Sequence, residues 1–243
     1  MLDSPQWTHR LGFLVPSVNA VIERDLRFCL PLSASAHVTR LPITRDEPEQ
    51  LSALADSVPP AAEMLAHPGC DSVVFACTTG SLYHGLGYDE SVARRITAIT
   101  GTPASTTSTA VLEALRSLRA KRVALVSPYE PWLDKRVVEF LDANGVTVTA
   151  VGGPALPDPR DTARVPPEDI ADAAGEPGDA DAVFISCTAF RGLEAAALLR
   201  ERLGRPVVSA NEATAWAAMR LAGCGPETFP ERGYADLATW SAR

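Results

Sequence analysis

The chain has 243 residues, enough for one large domain or two small ones, and its 46% hydrophobic, 21% charged make-up is that of an ordinary globular protein. A formal net charge of −8 without any Lys/Arg cluster argues against nucleic acid or an anionic membrane as partner, and no apolar run approaches the ~20 residues of a membrane helix. The start lacks a signal-peptide pattern, and the five cysteines (Cys29, Cys70, Cys77, Cys187, Cys224) are odd in number, scattered, and without C-x-x-C or a neighbouring His pair. A cytoplasmic protein with reduced thiols, no metal and no other cofactor is therefore expected.

In chain order, short β-rich runs alternate with helical patterns. The runs 10–17, 71–79, 121–129, 145–153, 181–189 and 205–212 read as strands leading into loops. They are continuously apolar rather than alternating, which suits parallel strands covered on both faces. Helical patterns occupy about 19–29, 49–66, 89–100, 107–118, 130–143, 167–174, 190–203 and 211–222. This alternation predicts an α/β fold. The "GLG" at 85–87 lacks the strand and third glycine of a nucleotide fingerprint.

The chain also resembles itself. "RLGFLVPS" returns as "RVALVSPY" 112 positions later, and the Leu-Pro and Arg-Asp pairs of "LPITRDEPEQL" return 115 positions later in "LPDPRDTARVPPEDI". "DSVVFACTTGS" returns as "DAVFISCTAFR", Cys77 mapping to Cys187, and "GTPASTTSTAVLEAL" as "GRPVVSANEATAWAAM". Four matches in one order predict two similar lobes, each a short parallel sheet flanked by helices and related by a pseudo-twofold axis. The boundaries read as 1–104 for the first lobe, joined by a C-terminal helical segment 211–243, and 105–210 for the second. In this alignment Asn211 and Glu212 fall opposite Thr106 and Thr107.

Ligands of open parallel sheets bind beyond the carboxyl ends of the strands. Cys77 and Cys187 both sit there, so duplication would bring both thiols to one small molecule. A cysteine at a strand end is also commonly a small buried hydrophobe, and the repeat is what favours chemistry. Two opposed thiols can remove and deliver a proton on opposite faces of a carbon, or one thiolate can add to a double bond while the other handles the proton. Around them Ser17, Asn19, Thr78, Thr79, Ser127, Tyr129 and Thr188 offer donors suited to an oxyanion or dicarboxylate. Asn19 reads equally as a helix cap, Asn211 and Glu212 as the start of the last helix, and Arg191 as a carboxylate guide or a surface ion pair. The Pro-rich stretch 154–169 reads as a lid or a connection.

Taken together, "VPSVN", "ACTTGS", "SPY", "SCTAFRGLE" and "RPVVSANEATAW" resemble the Asp/Glu racemase superfamily. The nearest branch is that of maleate cis-trans isomerases, arylmalonate decarboxylases and related ectoine-utilisation proteins. The resemblance implies two α/β lobes around one cleft, a homodimer, no cofactor and a small carboxylate or dicarboxylate substrate. For an isomerase it implies that Cys77 adds to the double bond of maleate and that Cys187 is the acid/base. Asn19 and Tyr129 then hold its carboxylates, and in the decarboxylases the Thr78-Thr79 loop with Tyr129 forms the oxyanion pocket; Ser17, Thr188 and Asn211 are the other expected substrate-binding residues. A decarboxylase of this branch has glycine where this chain has Cys77, so two retained thiols favour the isomerase. Decarboxylation or racemisation through a carbanion, and carboxylate binding without turnover, are the alternatives. Glu212 stands where many relatives have glutamine, and a carboxylate facing the cleft there would repel a dianion.

Overall fold

The computed structural model describes residues 8–225. Eight strands among these residues form two four-stranded, wholly parallel sheets. The first contains β1 (His9–Pro16), β2 (Ala34–Leu41), β3 (Ser72–Phe75) and β4 (Ala104–Thr106) in the order β2-β1-β3-β4. The second contains β5 (Arg122–Val126), β6 (Thr147–Gly152), β7 (Ala182–Ile185) and β8 (Val207–Ser209) in the order β6-β5-β7-β8.

The strand registers reproduce the internal repeat residue by residue. Leu14 lies opposite Phe75, and Phe75 opposite Thr106. In the second sheet Val126 lies opposite Ile185, and Ile185 opposite Ser209. The α/β fold with two similar lobes is therefore observed.

Central strands β3 and β7 are buried along their whole length, which explains their unbroken apolar sequences. Six of the eight strands are legible as apolar runs. The two that are not are β2, a half-exposed edge strand of sequence ASAHVTRL, and β4, three residues that run directly into a helix. The predicted strands 71–79 and 181–189 also end sooner, at Phe75 and Ile185. Residues Thr78–Leu82 are instead a short helix, α3.

Both sheets hand over to a capped helix. Thr106 caps α5 (Thr107–Ser117) by accepting from the Thr109 N–H, and Ser209 caps α10 (Ala210–Leu221) by accepting from the Glu212 N–H. These caps place Asn211 opposite Ser108, and Glu212 opposite Thr109. The sequence alignment of Asn211 and Glu212 with Thr106 and Thr107 is thus displaced by two residues.

Helix α10 packs against α5, β3 and α1 (Ile22–Cys29), so the chain's last described helix lies on the first sheet. Ser72 Oγ donates to the Ala218 carbonyl at 2.8 Å, and Thr107 and Thr214 hydroxyls meet at 2.8 Å between α5 and α10. The expected C-terminal segment beyond residue 225 lies outside the described residues. One apolar core surrounds the first sheet and continues under the Val123, Leu125 and Phe184 face of the second. A smaller one covers the Ala124, Val126, Val183 and Ile185 face, the alternation expected of strands buried on both sides.

Candidate active site

The carboxyl ends of β1, β3, β5 and β7 open on one cavity between the sheets. Cys77 and Cys187 both line it, together with Asn19, Thr78, Thr79, Tyr129 and Thr188. Ile43, Asp46 and Pro159 close it from the side of the loops. Its volume is about 30 Å³, space for roughly two water molecules. A four-carbon diacid needs one of the roofing segments to move.

The two cysteines occupy matching strand ends in different backbone conformations. Cys77 is extended (φ −143°) and is the N-cap of α3, its Sγ accepting from the Gly80 N–H at 3.3 Å. Gly80 must be glycine for this approach: a Cβ there would lie 2.7 Å from Leu54 Cδ2 and 3.0 Å from Cys77 Sγ. Cys187 has φ +81°, a left-handed conformation that costs a non-glycine residue about 1–3 kcal/mol. Its Sγ accepts from the Ala189 N–H at 3.4 Å. Strain of this kind persists where the surroundings over-determine it, and here it aims the thiol into the cavity.

Burial pushes both thiols up to about 12, and the nearby Asp46 carboxylate pushes the same way. The Gly80 N–H and Thr79 hydroxyl oppose this at Cys77; the Ala189 N–H and Tyr129 hydroxyl oppose it at Cys187. Tyr129 is raised well above 10 by burial, with the two cysteines and Asp46 adding to it. The two thiols and the Tyr129 hydroxyl therefore carry their protons near neutrality.

The other sequence-predicted residues divide into those that face the cavity and those that hold it in shape. The buried Thr78 hydroxyl has no hydrogen-bond partner among the described residues, and Thr78 lines the cavity. Thr78 and Thr79 open α3, so their N–H groups have no carbonyl within that helix. Asn19 does two jobs: Oδ1 accepts from the Val21 and Ile22 N–H groups at the start of α1, and Nδ2 donates to Thr188 Oγ1 at 3.0 Å. Thr188 in turn donates to the Ala76 carbonyl at 3.1 Å, so this pair ties one lobe to the other.

Ser17 lies outside the cavity wall. Its hydroxyl donates to the Ile43 carbonyl at 2.9 Å and holds the 43–46 turn in place. Its repeat mate, Tyr129, is the one of the two that lines the cavity. Ser127, also expected at the cleft, donates to Asp134. Asn211 likewise stands behind the wall, donating to the Thr188 carbonyl at 3.1 Å and to Asp25 Oδ2 at 2.8 Å. Ser108, its counterpart, donates to the Thr78 carbonyl at 3.1 Å. Each lobe thus fixes the residue after its cysteine from the first turn of the helix after its last strand.

Glu212 does not face the cleft. It completes the Ser209 capping box and takes two hydrogen bonds from Arg200, both at 2.8 Å. Arg191 pairs with Glu194 at 2.9 Å. The Pro-rich stretch 154–169 carries Pro159, at the start of α7 (Pro159–Thr162), to the cavity roof.

Asp46, Ile43 and Pro159 are lining residues not expected from the sequence, as are Pro16, Val18 and Ala189 at the strand ends. The signal for the first three was the repeated Leu-Pro…Arg-Asp pairs: the first copy is a turn and the second runs into α7, and each brings a residue to the cavity roof. Asp46 accepts from Thr79 Oγ1 at 3.4 Å, and Thr79 Oγ1 lies 3.7 Å from Cys77 Sγ. Among the described residues no cluster of three or more His, Cys, Asp or Glu side chains is arranged as metal ligands.

Behind the wall, Asp25 is fully buried, its pKa raised to about 7 mainly by burial, with the Asn211 amide opposing. A carboxyl whose folded pKa exceeds its unfolded one binds protons more tightly when folded. Stability is then greatest below about pH 4, falls between about pH 4 and 7, and stays reduced above. Asp25→Asn keeps an acceptor for Asn211 and removes the charge. It is expected to raise unfolding free energy by about 2–4 kcal/mol at about pH 8 and to change it little near pH 4. Denaturant titrations at the two pH values check this; an equal effect at both contradicts it.

The arylmalonate decarboxylase family model matches residues 11–233. Arylmalonate decarboxylase of Bordetella bronchiseptica is 31% identical over 237 residues, 95% of this chain and 96% of that protein. Maleate isomerase of Geobacillus stearothermophilus is 26% identical, covering 85% and 89%. Among solved structures, a Nocardia farcinica maleate cis-trans isomerase superposes with a TM-score of 0.87 at 26% identity, covering 95% of this chain and 98% of that one. That structure is a cysteine-to-serine mutant with a covalently bound succinylcysteine intermediate. A liganded arylmalonate decarboxylase carrying a glycine-to-cysteine and a cysteine-to-serine change superposes with a TM-score of 0.84 at 30% identity, covering 90% and 94%.

Proposed function

The chain belongs to the arylmalonate decarboxylase family, and on that premise we propose that it is a cofactor-independent isomerase of a small unsaturated dicarboxylate, maleate or a close analogue. One observation carries this reading: two thiols, one from each lobe, line a single cavity. Protonation after decarboxylation needs one thiol, whereas addition and elimination use two, as does two-base racemisation, which belongs to the second reading below.

In the proposed reaction one substrate carboxylate takes the Thr78 hydroxyl, the Thr78 and Thr79 N–H groups and the Tyr129 hydroxyl, all neutral donors. The Cys77 thiol first gives up its proton to solvent, and the thiolate adds to the alkene carbon nearer its sulfur, forming an S–C bond as the π bond breaks. The electron pair moves to the adjacent carbon, and Cys187 delivers its proton there. The remaining single bond rotates. Cys187, now a thiolate, removes a proton from that carbon; the S–C bond breaks and the trans alkene forms. The succinylcysteine described for the Nocardia enzyme supports the covalent step.

Proton NMR of maleate incubated with the enzyme tests this. Fumarate formed with no release of carbon dioxide is the expected result. A second reading, decarboxylation or racemisation through an enediolate, is favoured by the 31% identity to the Bordetella decarboxylase and by the same neutral donors. It is distinguished by carbon dioxide released from an arylmalonate, or by deuterium gained at an sp³ carbon.

A further inference from the structure

Among the described residues Asp46 is the only carboxylate lining the cavity, and none of the described Lys, Arg or His lines it with Asp46. It comes from the turn between β2 and α2 (Pro48–Ala66), and Thr79 Oγ1 donates to its Oδ1 at 3.4 Å. Among the groups that line the cavity with it, Cys77 follows β3, Tyr129 follows β5 and Cys187 follows β7. All three are raised chiefly by burial, and the Asp46 charge pushes each the same way.

The charged groups beside Asp46 are turned to other partners. Arg45 Nε lies 3.9 Å from Glu47, and Arg160 pairs with Asp158 at 2.5 Å at the start of α7. The neutral donors of the cavity sit on the Thr78 side. A ligand that fills the cavity meets Asp46 as well as these donors, Asp46 being tied to their loop through Thr79.

We propose that Asp46 is a specificity-determining residue that reads the second end of the substrate. Ionised, it favours a half-amide or another hydrogen-bond donor at that end; protonated, it donates to a second carboxylate. This rests on the isomerase reading for the size of the ligand, but not on turnover. Two carboxylates a few ångströms apart in a closed cavity cannot both stay ionised, so a diacid binds together with a proton on Asp46. A half-amide presents an N–H₂ to the ionised carboxylate and binds without one. Burial already raises Asp46 to about 6, the Thr79 hydroxyl opposing, which makes proton uptake readily accessible.

Calorimetric titration with fumarate and with its monoamide tests this, at about pH 8 where both ligands are fully ionised. Buffers of different ionisation enthalpy report proton uptake. The wild-type protein is expected to bind the monoamide at least about tenfold more tightly than fumarate, and to take up about one proton with fumarate and none with the monoamide. Asp46→Asn, nearly isosteric and still an acceptor for Thr79, is expected to remove the proton uptake and to reduce the preference at least about fivefold. An unchanged preference in Asp46→Asn, fumarate binding without proton uptake, or no binding of either ligand overturns the proposal. Binding with the expected proton linkage but no maleate turnover sinks the isomerase reading and leaves this one standing.

Discussion

The Cys77→Ala variant is expected to lose turnover of maleate by roughly 10⁴-fold or more, because no other group at that strand end can form the S–C bond. Its fold is expected to survive. The side chain lies at the edge of the core, and alanine removes one sulfur together with the acceptor for the Gly80 N–H at 3.3 Å. That amounts to about 1–2 kcal/mol, a fraction of a domain's stability. Cys77→Ser restores an acceptor for Gly80 but presents an alcohol far less acidic than a thiol, and it is expected to be equally inactive. Stopped assays by proton NMR together with thermal unfolding check both variants. Retention of more than a tenth of the wild-type kcat in either contradicts the nucleophilic role.

Cys187→Ser separates addition from elimination. Serine can still accept from the Ala189 N–H, as Cys187 Sγ does at 3.4 Å, so the strained turn keeps its tie. It is a poor base for the carbon-bound proton whose removal precedes S–C cleavage. The fall in kcat is expected to be roughly 10²–10⁴-fold, the usual worth of a positioned acid/base. The expected signature is accumulation: intact mass rises by one maleic acid, and digestion maps the gain to the peptide containing Cys77. Wild-type turnover, or an adduct on Cys29, Cys70 or Cys224, contradicts the assignment.

Much of the fold was legible because both layers write the same pattern twice. Apolar runs located the buried central strands, and the repeat brought the Cys77 and Cys187 strand ends together. Strand β2 escaped because an edge strand has one wet face and reads as polar. The roof of the cavity escaped for a related reason. Asp46 sits in "RDEPEQ", which looks like a solvated charged turn, and only the sheet geometry swings its carboxylate over the cysteines.

Side-chain direction was the harder property to read. Ser17 and Tyr129 are repeat mates, yet the first holds a loop and the second faces the cavity. Asn211 and Ser108 are mates that both turn away to hold the carbonyl of the threonine after each cysteine. Residue type at a strand end thus predicts proximity to the site, while the hydrogen bonds of the neighbouring loop decide who faces the ligand.

The central claim is that both sulfurs act on one molecule held between the lobes. A crystal structure of the wild-type protein with succinate, which has no double bond to attack, tests it most directly. The account predicts one diacid between the sulfur atoms of Cys77 and Cys187, with one carboxylate on the Thr78-Thr79 loop and Tyr129. A diacid bound elsewhere, or seated with only one of the two sulfurs in contact, would contradict it.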